Sequence, residues 1–201
     1  MKNILTTLFA VASIALAANV QAAPIQYSTP GTQNAITYTF KAASASSLTA
    51  YFAGSTAGYT SKITMLVNGG ATGIFGLNNH TSAYGDSLDF GNVNAGDTLV
   101  FKLINLSPGD IDPWYSQQSM NSDGINHIYS SAYTGDTIIP AGIFVGFEDL
   151  PNGGDFNYQD EGFVFTNVAT TSSVPEPASL ALLGLGIAGI AISRRKIGVA
   201  A

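Results

Sequence analysis

Ala35-Ile36-Thr37-Tyr38-Thr39-Phe40 alternates residue by residue, with Ile36, Tyr38 and Phe40 on one face. In an extended chain successive side chains point to opposite faces, so this period of two predicts a strand with one buried side. Thr, Ile, Tyr and Phe also suit a pleated surface, because branched and aromatic side chains pack well across it. Outward from this stretch the same signal returns. Further strands are expected over Leu48–Ala53, Tyr59–Val67, Gly73–Leu77, Thr98–Ile104, Ile125–Tyr133, Ile138–Phe147 and Gly162–Val168. Turn formers separate many of them: Asn68-Gly69-Gly70, Asn94-Ala95-Gly96-Asp97, Ser107-Pro108-Gly109-Asp110 and Asn152-Gly153-Gly154. Gly and Asn tolerate positive φ, and Asp closes turns through its own carboxylate. No internal segment shows helical periodicity with caps. The expectation is an all-β chain, a single antiparallel β-sandwich of jelly-roll type. It is flanked by an N-terminal signal helix and a short C-terminal transmembrane helix.

The chain has 201 residues, of which 10% are charged, with 13 acidic against 7 basic groups and no cysteine. Between Pro24 and Val174 only Lys41, Lys62 and Lys102 face twelve acidic residues, a formal charge of −9. Nucleic-acid binding is therefore not expected, since it needs clustered Lys and Arg to meet phosphates. Without cysteine there are no disulfides, thiolate nucleophiles or cysteine-held metals.

The two ends read as addresses. Lys2, the apolar stretch Ile4–Leu16 and the small-residue site Val20-Gln21-Ala22 form a secretory signal over residues 1–23, cut after Ala22 or Ala23. The folded domain is expected over 24–170 and a tail over 171–201, with Ala169-Thr170-Thr171-Ser172-Ser173 as a polar linker. Val174-Pro175-Glu176-Pro177 follows, then an apolar run from Ala178 to Ile192, then Arg194-Arg195-Lys196. The run is short against the roughly 20 residues of a full span, and its basic end would stay cytoplasmic. Motif, run and basic cluster, in that order, resemble the PEP-CTERM tail of exopolysaccharide-producing Gram-negative bacteria. The resemblance implies processing by an exosortase at the membrane, then release or attachment at the outer surface or extracellular matrix.

Acidic residues are absent from 24–85 and crowd toward Glu148–Glu161. Glu148, Asp149, Asp155, Asn157, Asp160 and Glu161 offer oxygen ligands within fourteen residues, around a flexible Gly153-Gly154. Calcium takes 6–8 oxygens in adaptable geometry. Like charges this close repel unless solvated or bridged by a cation. The expected calcium ligands are Glu148, Asp149, Asp155, Asn157 and Asp160. The competing expectation is that these residues only cap turns through side-chain to backbone bonds. An EF-hand is excluded, because Asp160 stands where its Gly belongs and Thr166 where its bidentate Glu belongs.

Phe147-Glu148-Asp149-Leu150, with Gly153, Gly154, Asp155, Tyr158 and Asp160, resembles an uncharacterised domain of exported bacterial proteins. Asn157 and Gln159 depart from its pattern, which usually has Asp and Asn there. Tyr115-Ser116 through Asn121-Ser122-Asp123-Gly124-Ile125-Asn126-His127 resembles a second stretch of that domain. The resemblance implies a β-rich fold over roughly 113–168 and no established activity.

Other chemistry is weakly signalled. His80 and His127 are the only histidines, without a His-Glu-x-x-His pair, and His127 reads as structural. Gly85-Asp86-Ser87-Leu88-Asp89 begins a nucleophile elbow and fails at its last residue. Trp114 and Tyr115, beside Asp110 and Asp112, form a candidate carbohydrate-binding pair, since aromatic rings stack on sugars. A core position for Trp114 is the favoured alternative. The leading expectation is a non-enzymatic surface or matrix protein. The alternatives are an exopolysaccharide-binding adhesin and, behind it, a secreted glycoside hydrolase.

Overall fold

The computed structural model describes residues 25–109 and 112–174. Among the described residues eleven strands form two sheets in which every pairing is antiparallel. One sheet holds β1 (Thr37–Ala42), β3 (Ser61–Val67), β4 (Gly70–Gly76), β6 (Thr98–Asn105) and β11 (Val168–Ser173) in the order β11-β1-β6-β3-β4, and β7 (Trp114–Tyr115) pairs with β6. The other holds β2 (Ser46–Ser55), β5 (Ser87–Val93), β8 (Ile128–Tyr133), β9 (Gly142–Phe147) and β10 (Glu161–Phe165) in the order β5-β2-β10-β9-β8. The two-sheet β-sandwich is as expected. The signal helix, the apolar tail and the motif from Pro175 to Lys196 lie outside the described residues. Among the described residues no helix is long and apolar enough to cross a membrane.

The alternation in β1 works as its sequence implies, since Phe40 is buried and Thr39 and Lys41 are exposed. Phe40 packs on Phe101, and Phe101 stacks on Phe165 with centroids 3.7 Å apart, so these rings join the two sheets. Leu48, Ile63, Met65, Leu103, Phe147 and Phe163 fill the same layer. Each such side chain taken from water contributes about 1.5–3 kcal/mol. A smaller cluster of Tyr133, Ile139, Phe144 and Val164 covers the far face of the second sheet. Strand β10 is therefore buried along its whole length.

Two stretches differ from expectation. Ser87–Val93 is a strand although Asp89 and Gly91 interrupt it. Its pairing with β2 shifts register between Ser47 and Thr49, and Asp89 accepts hydrogen bonds from Ser47 and from the Gly91 amide at this bulge. The run 169–173, expected as a linker, is most of β11, paired with β1 from Thr37↔Ser173 to Ala42↔Val168. Threonine's branched side chain favours an extended backbone, and an edge strand with exposed faces can be polar throughout.

Candidate functional site

Strands β9 and β10 pair so that Glu161 lies opposite Phe147. Glu148 follows Phe147 directly, so the acidic residues that leave β9 and enter β10 lie at the same end of the second sheet. The loop between them folds back over this end. It makes a short 3-10 turn at Pro151–Gly153 and passes through positive φ at Asn152, Gly153, Gly154, Phe156 and Tyr158. A side chain at Gly154 would stand 2.9 Å from Glu148 Oε2, so this glycine is needed for both its φ of 51° and its closeness to the carboxylate.

The acidic residues divide into two sets. Asp155 Oδ1 accepts the Asn157 amide at 3.2 Å and its Oδ2 accepts Asn157 Nδ2 at 2.7 Å, while Asn157 Oδ1 accepts the Gln159 amide at 2.7 Å. Asp155 is exposed, and this pair caps successive turns. Glu148, Asp149 and Glu161 are different, being 0%, 3% and 0% exposed. Glu148 Oε1 accepts the Tyr158 amide. Its Oε2, Asp149 Oδ2 and both oxygens of Glu161 have no hydrogen-bond partner. Asp160, half-buried beside them, accepts the Asp149 amide at 3.0 Å.

Burial of a charge in a poorly solvated site favours its neutral form. Burial, reinforced by Asp160 and Asp155, pushes Glu148 up to about 8. Burial, then the charges of Asp149 and Asp160, pushes Glu161 up to about 9, against the opposing pull of the nearby buried Ser61 hydroxyl, which itself has no partner within hydrogen-bond geometry. Asp149 also moves upward, through burial and then Asp160. Among the described residues, no three acidic or imidazole side chains are drawn up as an ion's ligand shell. Carboxylate oxygens are of the donor class that suits calcium.

Behind the acids stands an aromatic support. Trp114 lies flat on His127, and its Nε1–H donates to the Asp149 carbonyl at 2.8 Å. His127 Nδ1 lies 2.9 Å from the Glu148 carbonyl oxygen, and its Nε2 lies 3.0 Å from Asp123 Oδ2. That same Asp123 oxygen accepts the Asn152 amide at 2.8 Å. The stretch 114–127 thus grips the backbone of Glu148, Asp149 and Asn152, and His127 is structural.

This arrangement corrects the carbohydrate assignment. Trp114 and Tyr115 are neighbours in a strand, so their rings point to opposite sides. Trp114 is 2% exposed, and half-buried Tyr115 lies under Lys102 Nζ, 5.1 Å from the ring centroid. The two rings form no common platform for a sugar. Glu161 stood outside the expected ligand set, yet it is among the most deeply buried acids. Its signal was a carboxylate opening the otherwise apolar strand Gly162-Phe163-Val164-Phe165.

Residues 173–196 match the PEP-CTERM protein-sorting motif, which marks the chain for export and exosortase-type processing at the membrane. The match begins at Ser173, the last residue of β11, so the matched motif overlaps the end of the sheet by one residue. No curated protein and no solved structure matches the chain.

Proposed function

We propose that this protein is a non-enzymatic module of the outer surface or extracellular matrix of a Gram-negative bacterium, whose fold is completed by calcium. The observation that carries the reading is that four oxygens on the buried carboxylates of Glu148, Asp149 and Glu161, at one end of the second sheet, have no hydrogen-bond partner. A buried charge that lacks a partner is costly, and a divalent cation turns that cost into binding energy. Asp160 borders the cluster and joins the ligand set, while Asp155 and Asn157 shape the loop. Calcium is abundant outside cells, and a metal held only by the folded state adds its binding free energy to stability. This suits a disulfide-free exported domain. The packing of 114–127 against 148–160 also supports the likeness to the uncharacterised exported domain, whose two stretches are these.

The test is thermal unfolding of a chain ending at Val174, first in about 1 mM calcium and then in EDTA. A site with a dissociation constant near 10 μM should add roughly 2.7 kcal/mol at that concentration. For a domain of this size the shift is about 5–10 °C. An unchanged midpoint would return the acids to turn capping and burial as neutral groups.

A further inference from the structure

A separate groove of about 550 Å3 opens in the first sheet between β1, the start of β6 and the segment after β7. Its origin is a break in one strand ladder. Strand β1 pairs with β6 only at Phe40↔Leu99 and Lys41↔Thr98. Ala42 exchanges hydrogen bonds with Gly96 and Asp97, which fixes the side to which the even-numbered peptide groups of β1 point. Continued pairing would bring Tyr38 opposite Phe101. Ser116 takes that place instead, donating its amide to the Phe101 carbonyl at 2.8 Å and accepting the Phe101 amide on Oγ at 2.9 Å. Asn126 Nδ2 donates to the Ile36 carbonyl at 2.8 Å, closing the other end. By the alternation of the strand, the N–H and C=O of Tyr38 point to the groove, beyond the last β1–β6 pair.

The lining is uncharged: no Asp, Glu, Lys or Arg lines it, and apolar Leu99 and Val100 stand beside Thr39, Thr98, Gln117, Gln118 and Ser119, which contribute hydroxyls and carboxamides. Gln117 Nε2 donates to Ser119 Oγ and Gln118 Nε2 to the Gly124 carbonyl, which leaves their amide oxygens to accept. In a domain of formal charge −9 such a neutral surface suits neither an ion nor a charged polymer. Hydroxyls and carboxamides both donate and accept, as does the Tyr38 peptide pair, and sugar hydroxyls need both roles together. The gap is one peptide pair wide, too short for an added strand, which gains its affinity from a run of main-chain bonds. Its volume falls within the 300–1,000 Å3 of ordinary small-ligand sites.

We propose that this groove binds a segment of a neutral polysaccharide, held by hydrogen bonds to the Tyr38 peptide groups and to the side chains of Thr39, Gln117 and Gln118. The site is distinct from the acidic cluster and from Trp114. Recognition without a stacked aromatic ring is weak, with a dissociation constant in the roughly millimolar range.

The experiment is amide NMR on the full chain in mild detergent. It is titrated to about 10 mM with cello-, malto-, xylo-, manno- and laminari-tetraose, and with an alginate tetramer as the charged contrast. Saturable shifts centred on Tyr38, Thr39, Gln117 and Gln118 are expected with at least one neutral sugar and not with alginate. Thr39→Trp, which fills the groove from an exposed position, and Gln117→Ala, at an exposed loop residue, should each weaken binding at least about tenfold. Neither should alter the thermal midpoint. No shifts with any neutral sugar, shifts centred elsewhere, a preference for alginate, or binding that survives both substitutions would overturn the proposal.

Discussion

Trp114 and His127 stack with ring centroids 3.8 Å apart and planes 6° from parallel, directly behind the carbonyls of Glu148 and Asp149. The pair converts a loop rich in positive φ into a fixed edge for the buried acids. Trp114 is the only tryptophan in the chain. Its Nε1–H bond to the Asp149 carbonyl makes it a built-in reporter of that edge. Adding calcium to EDTA-treated protein should change the tryptophan emission in a saturable way, with a midpoint that coincides with the thermal stabilisation. Trp114→Ala should cost about 3–5 kcal/mol of stability, the usual range for deleting a buried aromatic. Denaturant unfolding, in calcium, measures that loss.

The buried acids give a pH dependence of definite sign. Glu148 and Glu161 start from an ordinary value of 4.5 and reach about 8 and about 9 in the folded chain. Between those limits the folded state holds more protons than the unfolded state, so unfolding free energy falls as pH rises. In EDTA the melting temperature should therefore decline from pH 5 through pH 8. In saturating calcium this decline should be largely abolished, because the cation takes the place of the protons. Paired thermal melts across that window check both arms. A flat profile in EDTA would mean that the two acids do not titrate as buried groups.

The core was largely legible in the sequence because it rests on local alternation, as in Ile36, Tyr38 and Phe40. What escaped was set by contacts between distant residues. Asp89 and Gly91 look like a turn, yet Ser47 from the neighbouring strand holds them in a bulge. Thr170–Ser173 look like a linker until β1 is beside them. The acidic run was visible as a cluster, but its division was not. Whether an acid is buried depends on the Glu161↔Phe147 pairing and on Trp114, and neither follows from spacing along 148–161. The Tyr38 groove had no sequence signal, since it exists only because Ser116 displaces β1 from Phe101.

That division predicts unequal effects for two acids. Glu161→Gln removes the buried titrating group and keeps the shape. In EDTA at pH 8 it should raise the melting temperature, because folding no longer has to protonate a carboxylate that is ionised in the unfolded chain. In calcium it should reduce the stabilisation by more than half, since one ligand loses its charge. Asp155→Ala lies at the exposed turn, where its bonds go to Asn157. It should leave most of the calcium shift in place and lower stability by about 0.5–2 kcal/mol, as for a lost cap. Calcium titrations followed by thermal melts separate the two. Equal loss of the calcium response would put Asp155 among the ligands and overturn the division.

Strand β11 ends at Ser173, where the sorting motif begins, and it pairs along all six residues of β1. On its other side β1 has only a two-residue ladder with β6. A chain ending at Asn167 should consequently lose more than one edge strand. It strips the pairing from β1, exposes the peptide groups of Thr37, Thr39 and Lys41, and uncovers Phe40 at one end of the aromatic stack that joins the sheets. An uncovered edge of this kind invites pairing between molecules. The truncated chain should melt well below the chain ending at Val174 and should form higher-order species in size-exclusion chromatography. A chain ending at Val174 should stay monodisperse under the same conditions. Identical behaviour of the two would show that β11 belongs to the sorting tail and contributes nothing to the domain.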